Sequence, residues 1–251
     1  MAEAAMSQLA IPARRSAGAV ARRAVATWIA GHPRLDDALL AVTELVNNAV
    51  IHSGLPSGSR LTVGVEPDGE ALRLTVAHDG VSFDLPDSLR PSTKAEASRG
   101  LAIVDMIADS WGVESSGGAV SAWFEIRPRK SDARIREGSS EMGLGPQLVL
   151  ETTRIGEQDV IVVTGEIDLA SSPRVELALE PYAGQPVILD LRRVEFIDSA
   201  GLKVLLSQRS RLEESGGDLK LVVGHGAVDR LLELTGVSGA FSIAESIEVD
   251  D

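Results

Sequence analysis

The residue pattern predicts two folds in series: an α+β unit with helices on one face of a mainly antiparallel sheet, then an α/β unit built on a mixed sheet with helices. Three observations predict them. Residues 16–52 carry two helical periodicities, followed by short alternating segments rich in β-branched residues. Residues 148–243 instead alternate strand and helix patterns, which calls for parallel pairing around right-handed crossovers. Between them, Arg127–Gln147 (RPRKSDARIREGSSEMGLGPQ) is polar, rich in Gly and Ser and has no sustained hydrophobic period, the composition of a linker.

In the first unit, helices are expected at Ser16–Gly31, amphipathic with Ser16 as its cap, and at Leu35–His52. Strands Arg60–Glu66 and Ala71–Ala77 form a hairpin around the Pro67-Asp68-Gly69 turn. The polar stretch Asp84–Arg99 leads into a third helix, Leu101–Ser110, and strands Trp111–Ser115 and Ala119–Arg127 close the unit. In the second unit, strands Leu148–Arg154 and Asp159–Glu166 precede a helix at Pro173–Leu179, with Ser172 as cap and Pro173 at the first position. Pro186–Leu191 is an apolar run suited to a buried strand. Helix Ala200–Glu214, strand Leu219–Val223, helix Ala227–Leu234 and a last strand near Phe241–Ile243 complete it.

Composition narrows the function. A chain of 251 residues allows one or two domains. Aromatics are only 3%, so the cores must be built from Leu, Val, Ile and Ala. The absence of Cys excludes disulfides, thiolate metal sites and a Cys nucleophile, and fits a reducing cytoplasm. No apolar run reaches the ~18–20 residues of a membrane span. No uninterrupted apolar core follows Arg14, Arg15, Arg22 and Arg23, so no signal peptide is expected. The net charge of -13 is concentrated in residues 131–251, where 22 Asp+Glu face 11 Lys+Arg. That balance argues against nucleic acid as a direct ligand. It suits a basic protein partner, or serves solubility alone.

Glu44 and Asn48 stand i,i+4 on the second helix, so their side chains share a face. A carboxylate there can accept a proton, and an amide oxygen can hold Mg²⁺ beside phosphate. On spacing alone, a solvated polar stripe is the better explanation. The neighbouring motifs favour the first explanation. Thr43–Gly54 (TELVNNAVIHSG) resembles the N-box of the GHKL (Bergerat-fold) ATPases, nearest to the serine-kinase anti-sigma factors of bacteria. Val76–Phe83 (VAHDGVSF) and Arg99–Val113 (RGLAIVDMIADSWGV) resemble that family's two glycine boxes, and Ala122–Ile126 (AWFEI) its closing strand. The resemblance covers residues 10–128 and implies an ATPase-like sandwich that binds ATP and Mg²⁺. It makes Glu44 the general base and Asn48 the magnesium ligand. Gly80 would permit close approach of the base. Gly100 and Leu101 would offer backbone N–H groups to phosphate, and Asp84–Ser98 would form the lid. Arg99 would add charge near phosphate, or stand as an ordinary surface Arg.

The sequence departs from the family at three places in the glycine boxes. His78 stands where the family has an Asp that accepts from the adenine amino group; Ser82 and Ser98 replace glycines. Asp79 lies one residue late, on the opposite face of a regular strand unless a bulge intervenes. A neutral His can still accept from the amine. None of His32, His52, His78 and His225 sits in a phosphoacceptor motif, which separates the chain from sensor histidine kinases.

In the second unit, Val163–Pro173 (VTGEIDLASSP) and Val187–Leu205 (VILDLRRVEFIDSAGLKVL) resemble a STAS domain of the anti-sigma-factor-antagonist type, over residues 147–248. Ser199, by itself an everyday helix N-cap, then becomes the implied phosphoacceptor, with Ala200 where the family has Ser or Thr. Asp168 and Asp198 would share its switch surface. The resemblance implies a kinase and its substrate in one chain, joined by linker 129–146. The unphosphorylated form would hold the kinase, in cis or in a second copy, and the phosphorylated form would release it to bind a sigma factor. Expected partners are thus a sigma factor and homologous kinase or antagonist proteins. Homodimerisation through the kinase unit is a further expectation. The alternative is a non-catalytic binding module whose STAS half is phosphorylated by a separate kinase.

Overall fold

The computed structural model describes residues 6–79, 99–116, 119–129 and 148–247. The chain divides into two units, Met1–Met142 and Gly143–Asp251. The expected linker, 129–146, lies outside the described residues except for Arg129, and the expected lid, Asp84–Ser98, lies wholly outside them.

The first unit comprises β1 (Ser7–Pro12), α1 (Ala17–Trp28), α2 (Leu35–His52), β2 (Arg60–Asp68), β3 (Ala71–Asp79), α3 (Arg99–Ile107), β4 (Ser110–Ser116) and β5 (Ala119–Ile126). Its strands form one antiparallel sheet in the order β1-β2-β3-β5-β4. Leu61, Val63, Val65, Leu74, Val76, Phe124 and Ile126 are buried between this sheet and the helices. The α+β layering therefore matches the sequence expectation. Central to it is α2, buried at nearly every position from Asp37 to Ala49 and packed against α1, α3, β3 and β5. A helix apolar on almost all sides belongs inside a layer.

Several boundaries differ from expectation for local reasons. Strand β1 gives almost no sequence signal, because only Ile11 of its six residues is buried; it forms by pairing along β2, from Ser7↔Val65 to Pro12↔Arg60. Pro67 and Asp68 belong to the ladder, opposite Leu72 and Ala71, which leaves Gly69-Glu70 as the two-residue turn. Ser16 occupies the N-cap position of α1 with ψ near 0°, and its side chain makes no capping bond. Helix α3 ends at Ile107 rather than Ser110, because the Asp109 N–H donates to the Glu125 carbonyl and Ser110 pairs with Glu125 in the sheet.

One side chain ties these ends together. Arg34, its side chain 2% exposed, pairs through Nε with Asp37 Oδ2 and through Nη1 with Asp109 Oδ2, each at 2.8 Å. It also donates to the Arg127 carbonyl at 3.3 Å and to the carbonyl of Ile107. The start of α2, the end of α3 and the end of β5 thus converge on one guanidinium, whose planar fork suits several oxygens at once.

The second unit comprises β6 (Val149–Ile155), β7 (Gln158–Ile167), α4 (Ser172–Leu179), β8 (Pro186–Ile197), α5 (Ser199–Glu214), β9 (Asp218–Val222), α6 (Ala227–Thr235) and β10 (Ser242–Ala244). The sheet runs β10-β9-β8-β7-β6; only β6–β7 is antiparallel, so the sheet is mixed as expected. Strand β8 continues past Leu191 to Ile197 because Val194 and Ile197 stay buried while Arg192, Arg193 and Glu195 face out. Ser171, not Ser172, is the N-cap residue of α4; Ser172 and Pro173 are its first two residues. Asp190, 5% exposed in mid-strand, is gripped by Arg192 through Nε (2.9 Å), Nη2 (2.7 Å) and the backbone N–H (3.1 Å). Burial by itself would push its carboxyl up, but the Arg192 bonds and the charges of Arg192 and Arg193 hold it below the ordinary value.

Two outcomes follow from these ion pairs. Replacing Arg34 with Met takes a buried guanidinium from Asp37 and Asp109, although Asp109 keeps the Arg127 N–H and Arg129, and should lower the stability of the first unit by about 3–5 kcal/mol. Urea unfolding followed by tryptophan fluorescence reads this directly, since Trp28, Trp111 and Trp123 all lie in that unit. In the second unit, the depressed Asp190 carboxyl contributes stability that is fully present above its unfolded value near 3.8 and is lost as pH falls through the lower folded one. The unfolding midpoint reported by Tyr182 should therefore fall on acidification below about pH 4, and fall less steeply in Asp190→Asn.

Candidate functional site

Helix α2 carries Glu44 inside the layer, 1% exposed, with Asn48 one turn later and half-buried. The solvated-stripe explanation is thereby excluded, because water does not reach this carboxylate. The first turn of α3 covers both residues. A Cβ built on Gly100 would overlap Glu44 Oε2, lie 3.2 Å from Glu44 Cδ and lie 3.6 Å from Asn48 Nδ2. A side chain here would displace the Glu44 carboxylate, whereas glycine lets the start of α3 approach this pair, and with it come backbone N–H groups that have no partner within the helix. Asn48 Nδ2 is itself buried with no hydrogen-bond partner. Donors from a helix start and from an amide therefore gather beside one carboxylate.

An open cleft adjoins this point. Its walls are mainly apolar, with Leu45, Val76, Leu101 and Val120 among them, and its polar lining among the described residues is Asn48, Ser53 and His78. His78 is 5% exposed on β3, between Leu61 of β2 and Val120 of β5. The β3–β5 pairing continues from His78↔Val120 to Asp79↔Ala119 without a register shift, so no bulge brings position 79 to the face of position 78. Gly80, Ser82 and Ser98 lie outside the described residues. Arg99 is the first residue of α3, and its side chain lies outside them also.

These features fit a nucleoside triphosphate: an apolar slot for a flat base and unpaired donors for phosphate. Among the described residues, no three His, Asp or Glu side chains gather as a metal site. A Mg²⁺ held here would draw most of its oxygen ligands from phosphate and water, as is usual for that ion, with Asn48 the protein group at hand.

In the second unit, the N-cap of α5 is Asp198 rather than Ser199. Asp198 is fully buried; its Oδ1 accepts from the Gly201 N–H at 3.0 Å and its Oδ2 from the Leu169 N–H at 3.2 Å. Ser199 becomes the first helical residue, half-buried at the start of α5. Asp168, 6% exposed, accepts at Oδ1 from the Ala170 and Ser171 N–H groups and from Ser171 Oγ, all at 3.0 Å. The two carboxylates expected on a switch surface are thus turned inward. They shape the turn after β7 and fasten it to the start of α5, leaving other atoms to face a partner.

Sequence reasoning did not single out Gly201, which fixes this junction. A Cβ there would stand 2.7 Å from the Ile167 carbonyl oxygen and 2.8 Å from Ile197 Cγ1. The signal was present in the FIDSAGL motif, but the close approach that demands glycine is visible only in three dimensions. Arg34, also missed, reads in sequence as one more surface cation.

Comparison with known proteins bears on both units. Residues 5–124 match the histidine kinase-like ATPase domain family, and residues 150–249 match the STAS domain family. An anti-sigma-B factor antagonist of Listeria monocytogenes is 36% identical over 86 residues, 33% of this chain and 75% of that protein. A crystal structure of an anti-sigma factor antagonist from Mycobacterium paratuberculosis is 27% identical, covering 40% of this chain and 87% of its own, with a TM-score of 0.37. The RsbU and RsbW domains of a Mycobacterium tuberculosis protein are 22% identical, covering 48% of this chain and 32% of that one, with a TM-score of 0.36.

The Gly201 contact gives a direct test. Gly201→Ala must displace the backbone at Ile167 and should destabilise the second unit by about 1–3 kcal/mol, the usual range for overpacking. Urea unfolding monitored at Tyr182 measures it, while the tryptophan transition of the first unit should stay in place.

Proposed function

The chain belongs to the anti-sigma-factor antagonist family and carries a histidine-kinase-like ATPase domain ahead of its STAS domain, and on that premise we propose that it is a cytoplasmic partner switch whose first unit is a serine-protein kinase and anti-sigma module acting on Ser199. The substrate serine is its own or that of a homologous STAS domain. The observation that carries this reading is the Glu44–Asn48 pair seated beneath Gly100. A base, an amide and a helix start converge there, as phosphoryl transfer from ATP requires.

ATP with Mg²⁺ would supply the phosphoryl group. Asn48 and the α3 N–H groups hold and orient it, and the apolar cleft takes the base. Glu44 takes the proton from the Ser199 hydroxyl as Oγ bonds to the γ-phosphorus and the bridging P–O bond breaks, leaving ADP. At the product, ~1.5–2 negative charges stand at the first residue of α5. The helix start tolerates them, but a partner docked on this surface meets new bulk and charge and is released. The freed kinase unit then holds a sigma factor. Tethering both units through residues 129–146 would give an effective concentration in the millimolar range. No direct contact with nucleic acid is part of this reading, and dimerisation through the kinase unit is compatible with it.

A second reading is favoured by one observation. Glu44 is 1% exposed, with Gly100 against its carboxylate, so an incoming hydroxyl needs that contact to open. In that reading the first unit binds partners without catalysis, and a separate kinase phosphorylates Ser199.

Intact mass of the full-length protein after incubation with Mg²⁺ and ATP decides between them. The kinase reading expects one added phosphoryl group in wild type and none in Ser199→Ala. It expects a rate lower by about 10²–10⁴ in Glu44→Gln, the usual contribution of a general base. Bound ATP without any mass gain in wild type would establish the second reading.

A further inference from the structure

Phosphate on Ser199 poses a charge problem that the start of α5 meets only in part. The adjoining residue, Asp198, is a buried carboxylate. It already receives the Gly201 N–H at Oδ1 and the Leu202 N–H at its carbonyl. Donors that a helix start could offer an anion are therefore spent within the chain. A phosphoserine brings ~1.5–2 negative charges and three acceptor oxygens, and a cation meets these best, through charge-assisted hydrogen bonds.

The helix supplies a cation at the right spacing. Residues three and four positions along an α-helix share a face with the first. For Ser199 these are Leu202, which is buried, and Lys203, which is exposed. Helical side chains lean towards the N-terminus and cover the turn before their own Cα. The flexible stem of Lys203 thus carries its ammonium back over the position where the phosphate would stand. The nearby Asp198 and Asp168 carboxylates are engaged by backbone N–H groups.

We propose that Lys203 is the charge partner of phosphorylated Ser199, closing over the phosphate from one turn along α5. The proposal rests on the phosphoacceptor reading above and adds to it the group that receives the phosphate. Phosphorylation then changes this surface twice: it adds a bulky anion, and it ties up a cation that the unphosphorylated form exposes to a partner.

The test uses the full-length protein with phosphoserine installed at position 199 during translation. Phosphorus NMR follows the second ionisation of that phosphate. A cation within ion-pair reach favours the dianion. Lys203→Gln should therefore lower the second ionisation constant by about twofold or more, the scale of an exposed i,i+4 pair. Lys203→Arg should keep the constant near the wild-type value. Arg209→Gln removes the same charge from the same helix, about 15 Å further along its axis. That exceeds the reach of exposed charges in physiological salt, so the constant should not change. Asp168, Asp198, Glu166 and Glu195, the acidic groups at the ends of β7 and β8, are common to all four proteins, so the difference isolates Lys203. Equal constants in wild type and Lys203→Gln overturn the proposal, as does an Arg209→Gln effect as large as that of Lys203→Gln. Because the phosphate is installed in translation, failure of the kinase reading in the intact-mass experiment leaves this outcome unaffected.

Discussion

The first turn of α3 rests on Glu44 and Asn48 at Gly100, and the first turn of α5 rests on Ile167 and Ile197 at Gly201. A Cβ at Gly201 would meet the Ile167 backbone and buried Ile side chains, and one at Gly100 would displace the Glu44 carboxylate. A helix start brings unpaired N–H donors and a positive field wherever it is seated. In the first unit it is seated against a buried carboxylate and an amide; in the second, a buried Asp198 receives the donors and leaves Ser199 at the helix tip. The features assigned to function depend on these two approaches, because a side chain at Gly201 would push α5 from the Ile167 backbone and one at Gly100 would shift the Glu44 carboxylate.

The surrounding polar groups hold those helices in register. Arg34 collects the end of α3, Asp109 and the end of β5, so the far end of α3 is fixed while its first turn meets Glu44. Trp111 Nε1 donates to Asp105 Oδ1 at 2.8 Å, adding a link from β4 back to α3. In the second unit, Asp168 closes its own turn and Leu169 donates to Asp198, which joins the end of β7 to the start of α5. Buried polar groups with satisfied hydrogen bonds make such joints rigid. Asp168 and Asp198 thus shape the loops beside Ser199, and a charge added there would fall on this hydrogen-bonded framework.

The sequence by itself determined the two fold classes, because hydrophobic periodicity and composition change on either side of the polar stretch near residue 130. It determined α2 to the residue, Leu35–His52, from its helical periodicity. It also brought out Glu44 and Asn48 through their i,i+4 spacing, and His78 and Ser199 through resemblance to family motifs. Tertiary structure decided what local pattern cannot carry. Strand β1 exists through its pairing with β2, and β8 extends to Ile197 through burial of Val194 and Ile197. The capping role passes from Ser199 to Asp198, and from Ser172 to Ser171, because a cap depends on backbone angles and not on residue type alone. Whether Glu44 is a solvated charge or a buried base, whether Arg34 is a surface cation or a clamp, and why positions 100 and 201 must be glycine are questions of distance between segments remote in sequence. Only packing sets those distances.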